Sequence, residues 1–293
     1  EEVRNDCDYS NGEWVQDKTG PLYNGTTCGT IKDGQNCMAH GRPDSGYLYW
    51  RWKPSQCQLP RFEPTKFLSL LENKHLAFVG DSMARNQLES LLCLLSSVSP
   101  PDLVYTNAVY YENDSVLGCH ACEGLNHTEI GFFDVLRKAV KTTLKAITDK
   151  SITDGNEIDV ILTTFSPARF EGKWDKNGAC SREKPFEEGE KALEGMDVVM
   201  RNIEVEEIEE SKNKVLQVDR LRIEALDVTK IAFMRPDGHP GPYMYPNPFA
   251  DGVKDGVQND CVHWCLPGPI DTWNEILLQV VRQWEAESMK RRG

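Results

Sequence analysis

His75-Leu-Ala-Phe-Val-Gly80-Asp-Ser82-Met-Ala-Arg-Asn-Gln-Leu-Glu-Ser90 decides how this chain of 293 residues is read. Residues 75–80 form an apolar run of the length of a buried strand. From Met83 to Ser96, Gln87, Leu88, Leu91, Leu92 and Leu95 recur at helical spacing. Strand, small turn and helix put Ser82 at a helix N-terminus, where unpaired backbone N–H groups can hold an oxyanion. Gly-Asp-Ser is also a common turn, in which Ser82 is an ordinary helix cap.

A serine hydroxyl is a weak nucleophile and needs a histidine base, itself oriented by a carboxylate. Asp260-Cys-Val-His263 supplies both, three residues apart, a spacing that puts them on one side of a helical turn or tight loop. Asp260 can then hold one imidazole nitrogen while the other faces Ser82. His263 lies between Cys261 and Cys265 and beside Trp264, so a packed, structural histidine is the alternative. His239, in Arg235-Pro-Asp-Gly-His239-Pro240, is a second candidate base, without a carboxylate at fixed short range; it can equally line an acceptor site or be structural. His40, His75, His120 and His127 have no comparable partner.

Further out, the pattern predicts a short helix over 62–73, a strand over 108–112 and an amphipathic helix over 130–147. A strand over 158–165, an acidic helix over 188–214, a strand over 221–228 and a last helix over 271–287 follow. Strands alternating with helices indicate an α/β fold with a mostly parallel sheet, and Ser82 falls at a strand's carboxyl end, where such sheets bind ligands. Residues 1–63, rich in Gly, Pro, Asn and Cys, read as an irregular disulfide-pinned lobe on a catalytic domain of residues 64–293.

A net charge of −13 repels phosphate backbones, so nucleic acid is not an expected partner, while a neutral polysaccharide is indifferent to it. Much of the acidity lies in Glu204, Glu206, Glu207, Glu209 and Glu210, read as a solvated helix face. No apolar stretch is long enough to span a bilayer. The chain starts without methionine, and we expect a processed or trimmed fragment. Ten cysteines (7, 28, 37, 57, 93, 119, 122, 180, 261 and 265) accompany the glycosylation sequons Asn24, Asn113 and Asn126, a combination typical of an oxidising secretory compartment. Position suggests the pairs Cys7–Cys57 and Cys28–Cys93, with Cys37, Cys180, Cys261 and Cys265 as further disulfide candidates. Zinc on Cys119-His120-Ala-Cys122 or Cys261-Val-His263-Trp-Cys265 is the rival, but no second Cys-x-x-Cys completes a tetrahedral site, so no metal is expected. Among the tryptophans, Trp50, Trp52 and Trp174 fall in loop-like segments and are candidates for stacking on sugar rings.

The matching stretches are Asn36-Cys37 to Gly41-Arg42-Pro-Asp44, Tyr49-Trp-Arg-Trp-Lys-Pro54, Cys57-Gln-Leu-Pro60, Phe78 to Ser90 and Thr164-Phe-Ser-Pro167. To these are added Arg235-Pro-Asp-Gly-His239, Asn259 to Pro269, and Asp271-Thr-Trp-Asn274. Together they resemble the plant trichome-birefringence-like family of cell-wall polysaccharide O-acetyltransferases. The resemblance implies an SGNH/GDSL-hydrolase-like three-layer sandwich in the Golgi lumen, normally behind one N-terminal membrane anchor. It implies Ser82 as nucleophile, His263 as base and Asp260 as its orienter, with an acetyl-serine formed first and attacked by a sugar hydroxyl. Arg85, Asn86 and Gln87 are candidates to assist the oxyanion site, and Arg235 and His239 to contact substrate. No bound cofactor is implied, only an acetyl donor of unspecified identity and a hemicellulose acceptor: xyloglucan first, then mannan and xylan. A polysaccharide acetylesterase and a non-catalytic polysaccharide-binding protein are the alternatives. In one respect the chain departs from the resemblance: between Cys93 and Cys119 the family carries a considerably longer stretch.

Overall fold

The structure, a computed structural model, describes residues 7–99, 131–155, 157–215, 218, 221–253 and 256–292. In chain order the elements are strands β1 (Gly12–Gln16) and β2 (Trp50–Pro54), then helices α1 (Pro64–Leu70) and α2 (Ser82–Ser96). Next come α3 (Phe132–Asp154), β3 (Ile158–Thr163), α4 (Met196–Val215) and β4 (Leu221–Leu226), and last α5 (Thr229–Phe233) and α6 (Asp271–Arg292). Two compact units contain them: Glu1–Pro101, Ser166–Leu193 and Leu226–Gly293 in one, Asp102–Phe165 and Glu194–Ala225 in the other.

In the first unit, the stretch expected to be irregular contains an antiparallel ribbon, β1 on β2, with Trp14 opposite Trp52 and the two rings edge-on at 5.6 Å. Each indole N–H finds a carbonyl, Trp14 on Ile231 (3.1 Å) and Trp52 on Tyr9 (2.8 Å), so both rings are buried without an orphaned donor. Trp52 therefore belongs to the core and not to a sugar-binding surface. Pro64 opens α1, where its missing N–H costs nothing. Helices α2 and α6 pack together, and Leu91, Cys93 and Leu94 of α2 and Trp273, Leu277 and Leu278 of α6 are buried. Polar groups fix their register: Asn274 Nδ2 donates to the Gln87 carbonyl (3.1 Å) and to Ser90 Oγ (2.9 Å), and Ser90 Oγ donates to Asp271 (2.6 Å), as does the Tyr23 hydroxyl (2.8 Å).

The expected mostly parallel central sheet is not seen among the described residues, whose strands form the two-stranded sheets β1–β2 and β3–β4. Residues 75–79 belong to no helix or strand and pair with no strand among the described residues, and Val79 is 92% exposed. An apolar sequence can adopt extended backbone, but a strand exists only where neighbours take its N–H and C=O groups. The expected strand at 108–112 lies outside the described residues. The second unit buries Leu144 of α3, Ile208 and Val215 of α4, and Leu221 and Ile223 of β4 in one cluster. Its acidic helix begins at Met196, later than expected, after turns at Gly189 (φ 80°) and Gly195 (φ 60°). The acidic run is not all solvated: Glu207 is buried against Arg137 (2.8 Å), and Glu204 accepts the Phe165 N–H (2.7 Å).

A small pocket of about 60 Å³ in the first unit is lined by Asp17, Tyr47, Trp50, Arg51, Arg61 and Glu275, among others. Burial lifts the Glu275 carboxyl to about 7 despite the charges of Arg51 and Arg61. Burial likewise lifts Asp271 to about 6 against its hydrogen bonds from Ser90, Tyr23 and Gly268. The folded chain keeps protons that the unfolded carboxyls release near pH ~4, so these groups lose stability as pH rises through about 7. Glu275→Gln should remove its share, gaining up to about 3 kcal/mol on wild type between pH ~5 and pH ~8 in urea unfolding. A pH-independent difference between the two proteins would contradict this.

Candidate active site

Gly80-Asp81-Ser82 forms a tight entry to α2. A Cβ on Gly80 would stand 2.9 Å from that of Ala84, so the turn requires glycine. Asp81 is the N-cap, its carboxylate accepting the Met83 N–H (2.9 Å), and its carbonyl accepts the first helical bond from Arg85 (3.2 Å). The capping role that Ser82 was a candidate for is thus taken by its neighbour. Ser82 is the first residue of α2 and exposed, with its hydroxyl not committed to the cap. The remaining N–H groups of that first turn have no intrahelical acceptor.

His263 is oriented by Asp260: Nδ1 lies 2.7 Å from Oδ2, while Oδ1 accepts the N–H groups of Val262 (3.0 Å) and His263 (2.9 Å). Burial opposes charge on Asp260, but these hydrogen bonds from His263 and Val262 outweigh it and hold the carboxyl below its ordinary value. With Nδ1 donating to a carboxylate, Nε2 is the basic nitrogen, and it is buried without a hydrogen-bond partner among the described residues.

The segment carrying His263 has no helix or strand of its own, and side chains hold its backbone instead. Asn86, fully buried one turn beyond Ser82, accepts the Trp264 N–H (2.8 Å) and donates to the Trp264 carbonyl (3.4 Å). His239 stacks on Trp264 with ring centroids 4.1 Å apart, and its Nδ1 donates to the His263 carbonyl (2.7 Å). Burial lowers the His239 pKa to about 4, so the ring is neutral, and a carbonyl partner requires the proton on Nδ1. Gly238 must lack a side chain, since a Cβ would meet Pro269 at 2.3 Å. Two disulfides bracket the segment: Cys180–Cys261 beside Asp260, and Cys37–Cys265 two residues beyond His263. These bonds overturn the zinc alternative at Cys261, His263 and Cys265, because a thiol joined to another sulfur cannot ligate. Cys7–Cys57 and Cys28–Cys93 pair as expected; Cys119 and Cys122 lie outside the described residues. Loss of a native disulfide costs about 2–5 kcal/mol. Mild reduction should therefore abolish whatever chemistry His263 performs, with recovery on reoxidation. Full activity of a chain verified as reduced would show that the bracket is dispensable.

The structure separates the other candidates. Of the oxyanion set, Arg85 is exposed at the first turn of α2, whereas the Asn86 amide is engaged with Trp264 and Gln87 Nε2 lies 3.4 Å from Asn274 Oδ1. Asn86 and Gln87 are therefore framework groups. Of the substrate set, Arg235 is 1% exposed, paired with Asp237 (2.9 Å), bonded to the Tyr47 carbonyl (2.7 Å) and stacked over Trp14. It belongs to the scaffold, as does His239, buried beneath His263. Trp50 is half-buried at the small pocket, and Trp174 is exposed. Asn24 is exposed, while Asn113 and Asn126 lie outside the described residues. Sequence reasoning missed Arg42, which donates to the carbonyls of Asp237 (2.7 Å) and His239 (2.9 Å) and to Asp44 (2.6 Å). Its only signal was its place in Gly41-Arg42-Pro-Asp44, five residues after Cys37.

Residues 5–58 match the PMR5 N-terminal domain. Residues 59–112 and 103–280 match the PC-Esterase family, described as a GDSL/SGNH-like acyl-esterase family found in Pmr5 and Cas1p. Xyloglucan O-acetyltransferase 1 of Populus trichocarpa is 56% identical, covering 97% of this chain and 83% of its own length. Xyloglucan O-acetyltransferase 1 of Arabidopsis thaliana is 49% identical over 95% of this chain and 81% of its own length. Protein trichome birefringence-like 26 of Arabidopsis thaliana is 36% identical over 96% of this chain and 78% of its own length. The first alignment spans 356 positions against 293 residues here, so at least 63 positions of that alignment have no counterpart in this chain. The two PC-Esterase matches overlap at 103–112, beyond the end of α2. With a cysteine-bracketed His-Asp pair, a capped Gly-Asp-Ser turn and matches from residue 5 to residue 280, the chain belongs to the PC-Esterase family, together with the trichome-birefringence-like proteins.

Proposed function

We propose that this chain is a polysaccharide O-acetyltransferase that carries the acetyl group on Ser82 and delivers it to a xyloglucan hydroxyl. The observation that carries the proposal is the His263–Asp260 pair at 2.7 Å, its Nε2 uncommitted, tied through Asn86 to the helix that begins at Ser82. The names of the relatives at 49–56% identity support the substrate. In the first half-reaction Ser82 Oγ attacks the acetyl carbonyl carbon and its proton passes to His263 Nε2. The donor's leaving group departs with that proton as the tetrahedral adduct collapses to acetyl-Ser82. In the second, Nε2 takes the proton of a sugar hydroxyl while its oxygen attacks acetyl-Ser82; Ser82 Oγ leaves and recovers the proton. The oxyanion of both adducts falls to the free N–H groups of the first turn of α2, with Arg85 beside them. Asp260 stays ionised throughout and stabilises the imidazolium.

A hydrolytic reading has its own support: the family is described as acyl-esterases, and Ser82 is exposed, so water competes with the sugar for acetyl-Ser82. Incubation with an acetyl donor and, separately, xyloglucan, mannan and xylan oligosaccharides distinguishes the two by product mass. Acetylated xyloglucan is the expected product, and free acetate with no acetylated sugar would assign the chain to hydrolysis. We propose the Golgi lumen, behind an upstream membrane anchor, as the compartment; the disulfides, which form where conditions are oxidising, support a secretory setting. No helix among the described residues is long and apolar enough to cross a membrane.

A further inference from the structure

Two exposed aromatic rings flank the segment that delivers Asp260. On one edge, the loop carrying Trp174 lies antiparallel to residues 256–261. Asn259 N–H donates to the Trp174 carbonyl (3.0 Å), Val257 N–H to Asp175 (3.1 Å), and Arg169 N–H to Cys261 (2.9 Å). Asn259 Nδ2 lies within hydrogen-bond reach of the carbonyls of Trp174 (3.0 Å), Lys176 (2.7 Å) and Val257 (2.7 Å), and Cys180–Cys261 closes the loop. On the other edge, Gly241 and Asp260 exchange backbone hydrogen bonds (2.8 and 3.0 Å), and four residues on Tyr245 donates its hydroxyl to Gln258 Oε1 (2.8 Å). Backbone hydrogen bonds hold this platform, yet Trp174 is 56% exposed and Tyr245 47% exposed, with the exposed Gln258 on the segment between them.

Rigid aromatic faces left in water bind with little ordering cost, and a neighbouring amide adds hydrogen bonds. That combination fits the C–H faces and hydroxyls of pyranose rings. A chain of net charge −13 repels a polyanionic glycan, which favours a neutral one. Gln258 is two residues, about 7 Å of extended backbone, from Asp260, so a sugar held there is a near neighbour of the reacting centre. We infer that Trp174, Gln258 and Tyr245 form the acceptor subsite, on which the backbone of a neutral hemicellulose chain lies beside the Asp260–His263 pair. The inference rests on the acetyltransferase reading for its ligand class, and its test does not depend on catalysis.

Binding of unacetylated xyloglucan oligosaccharide, followed by titration calorimetry, is the measurement. Trp174→Ala and Tyr245→Ala should each raise Kd about tenfold, equivalent to ~1.4 kcal/mol, and Gln258→Ala several-fold. Tyr49→Ala, which removes an exposed ring elsewhere on the first unit, should leave Kd unchanged. Truncation at Trp174 spares the fold, because its carbonyl and not its indole makes the hydrogen bonds; Gln258→Ala gives a second reading outside that loop. Kd values within twofold of wild type for Trp174→Ala and Tyr245→Ala, or a wild type that does not bind the oligosaccharide, overturn the subsite. If the variants lose binding while the wild type transfers no acetyl, the subsite stands and the transferase reading fails. If the wild type transfers acetyl and the variants keep its acceptor KM, the transferase reading stands and the subsite fails.

Discussion

Ser82→Ala is expected to reduce acetyl transfer to xyloglucan oligosaccharide by about 10⁴-fold, because the covalent route is lost and only binding and oxyanion stabilisation remain. The same change should shift folding stability by no more than ~0.5 kcal/mol, since Ser82 is exposed and Asp81, not Ser82, caps α2. This pairing separates chemistry from architecture. A helix-capping serine would cost ~1 kcal/mol on replacement by alanine and leave activity largely intact. Rates and urea midpoints measured on one preparation decide between them. Transfer within tenfold of wild type would remove Ser82 from the chemistry.

Asn86→Ala is the second large effect, and it acts at a distance from any reacting atom. Both ends of the Asn86 side-chain amide grip the backbone of Trp264, the residue after His263, in a fully buried position: Oδ1 accepts its N–H and Nδ2 donates to its carbonyl. Alanine leaves a buried N–H and a buried carbonyl without partners, at ~1–3 kcal/mol each. The released segment then lets His263 drift, and a displacement of about 1 Å is worth ~10²-fold in rate. We expect kcat to fall about 10²-fold with the acceptor KM little changed, together with a clear drop in melting temperature. Asn86→Asp should be worse than Asn86→Ala in stability. Its second carboxylate oxygen would face the Trp264 carbonyl, and it would bury a charge where the amide had donated. Equal or higher stability of the aspartate variant would contradict this account of the clamp.

Much of the site was written locally, and local features are what a sequence displays. Asp260 and His263 are three residues apart, so their pairing needed no tertiary information, and the helix after Ser82 announced itself by its leucines. The division of labour inside Gly-Asp-Ser was less legible: either Asp81 or Ser82 can cap a helix, and only backbone geometry decides. Arg235, His239 and Trp52 read as candidates for substrate contact, His239 equally as structural, because a polar or aromatic side chain in a loop-like segment does not display its own burial. Their burial depends on partners far along the chain: the Tyr47 carbonyl and the Trp14 ring for Arg235, the His263 carbonyl for His239, Trp14 for Trp52. Asn86 read as a polar side chain near the nucleophile, and its true partner lies 178 residues away. The strand expected at 75–80 failed for a related reason. Its residues have the right character, but no ladder forms on it among the described residues, and the alignment with the Populus relative holds at least 63 positions that have no counterpart in this chain. Hydrogen-bonded neighbours make a strand, and those neighbours lie elsewhere in a sequence or are missing from it.

Ser82 as acetyl carrier, served by a base at His263 that Asp260 orients, is the centre of this account. It is tested most directly by mass spectrometry of the chain quenched after brief exposure to an acetyl donor without acceptor. The account predicts one acetyl group, located by peptide fragmentation on Ser82, that is lost when xyloglucan oligosaccharide is added and is absent from Ser82→Ala. Transfer to sugar with no acetyl on Ser82 at any time point, or an acetyl that sits on another residue and turns over with acceptor, would contradict it.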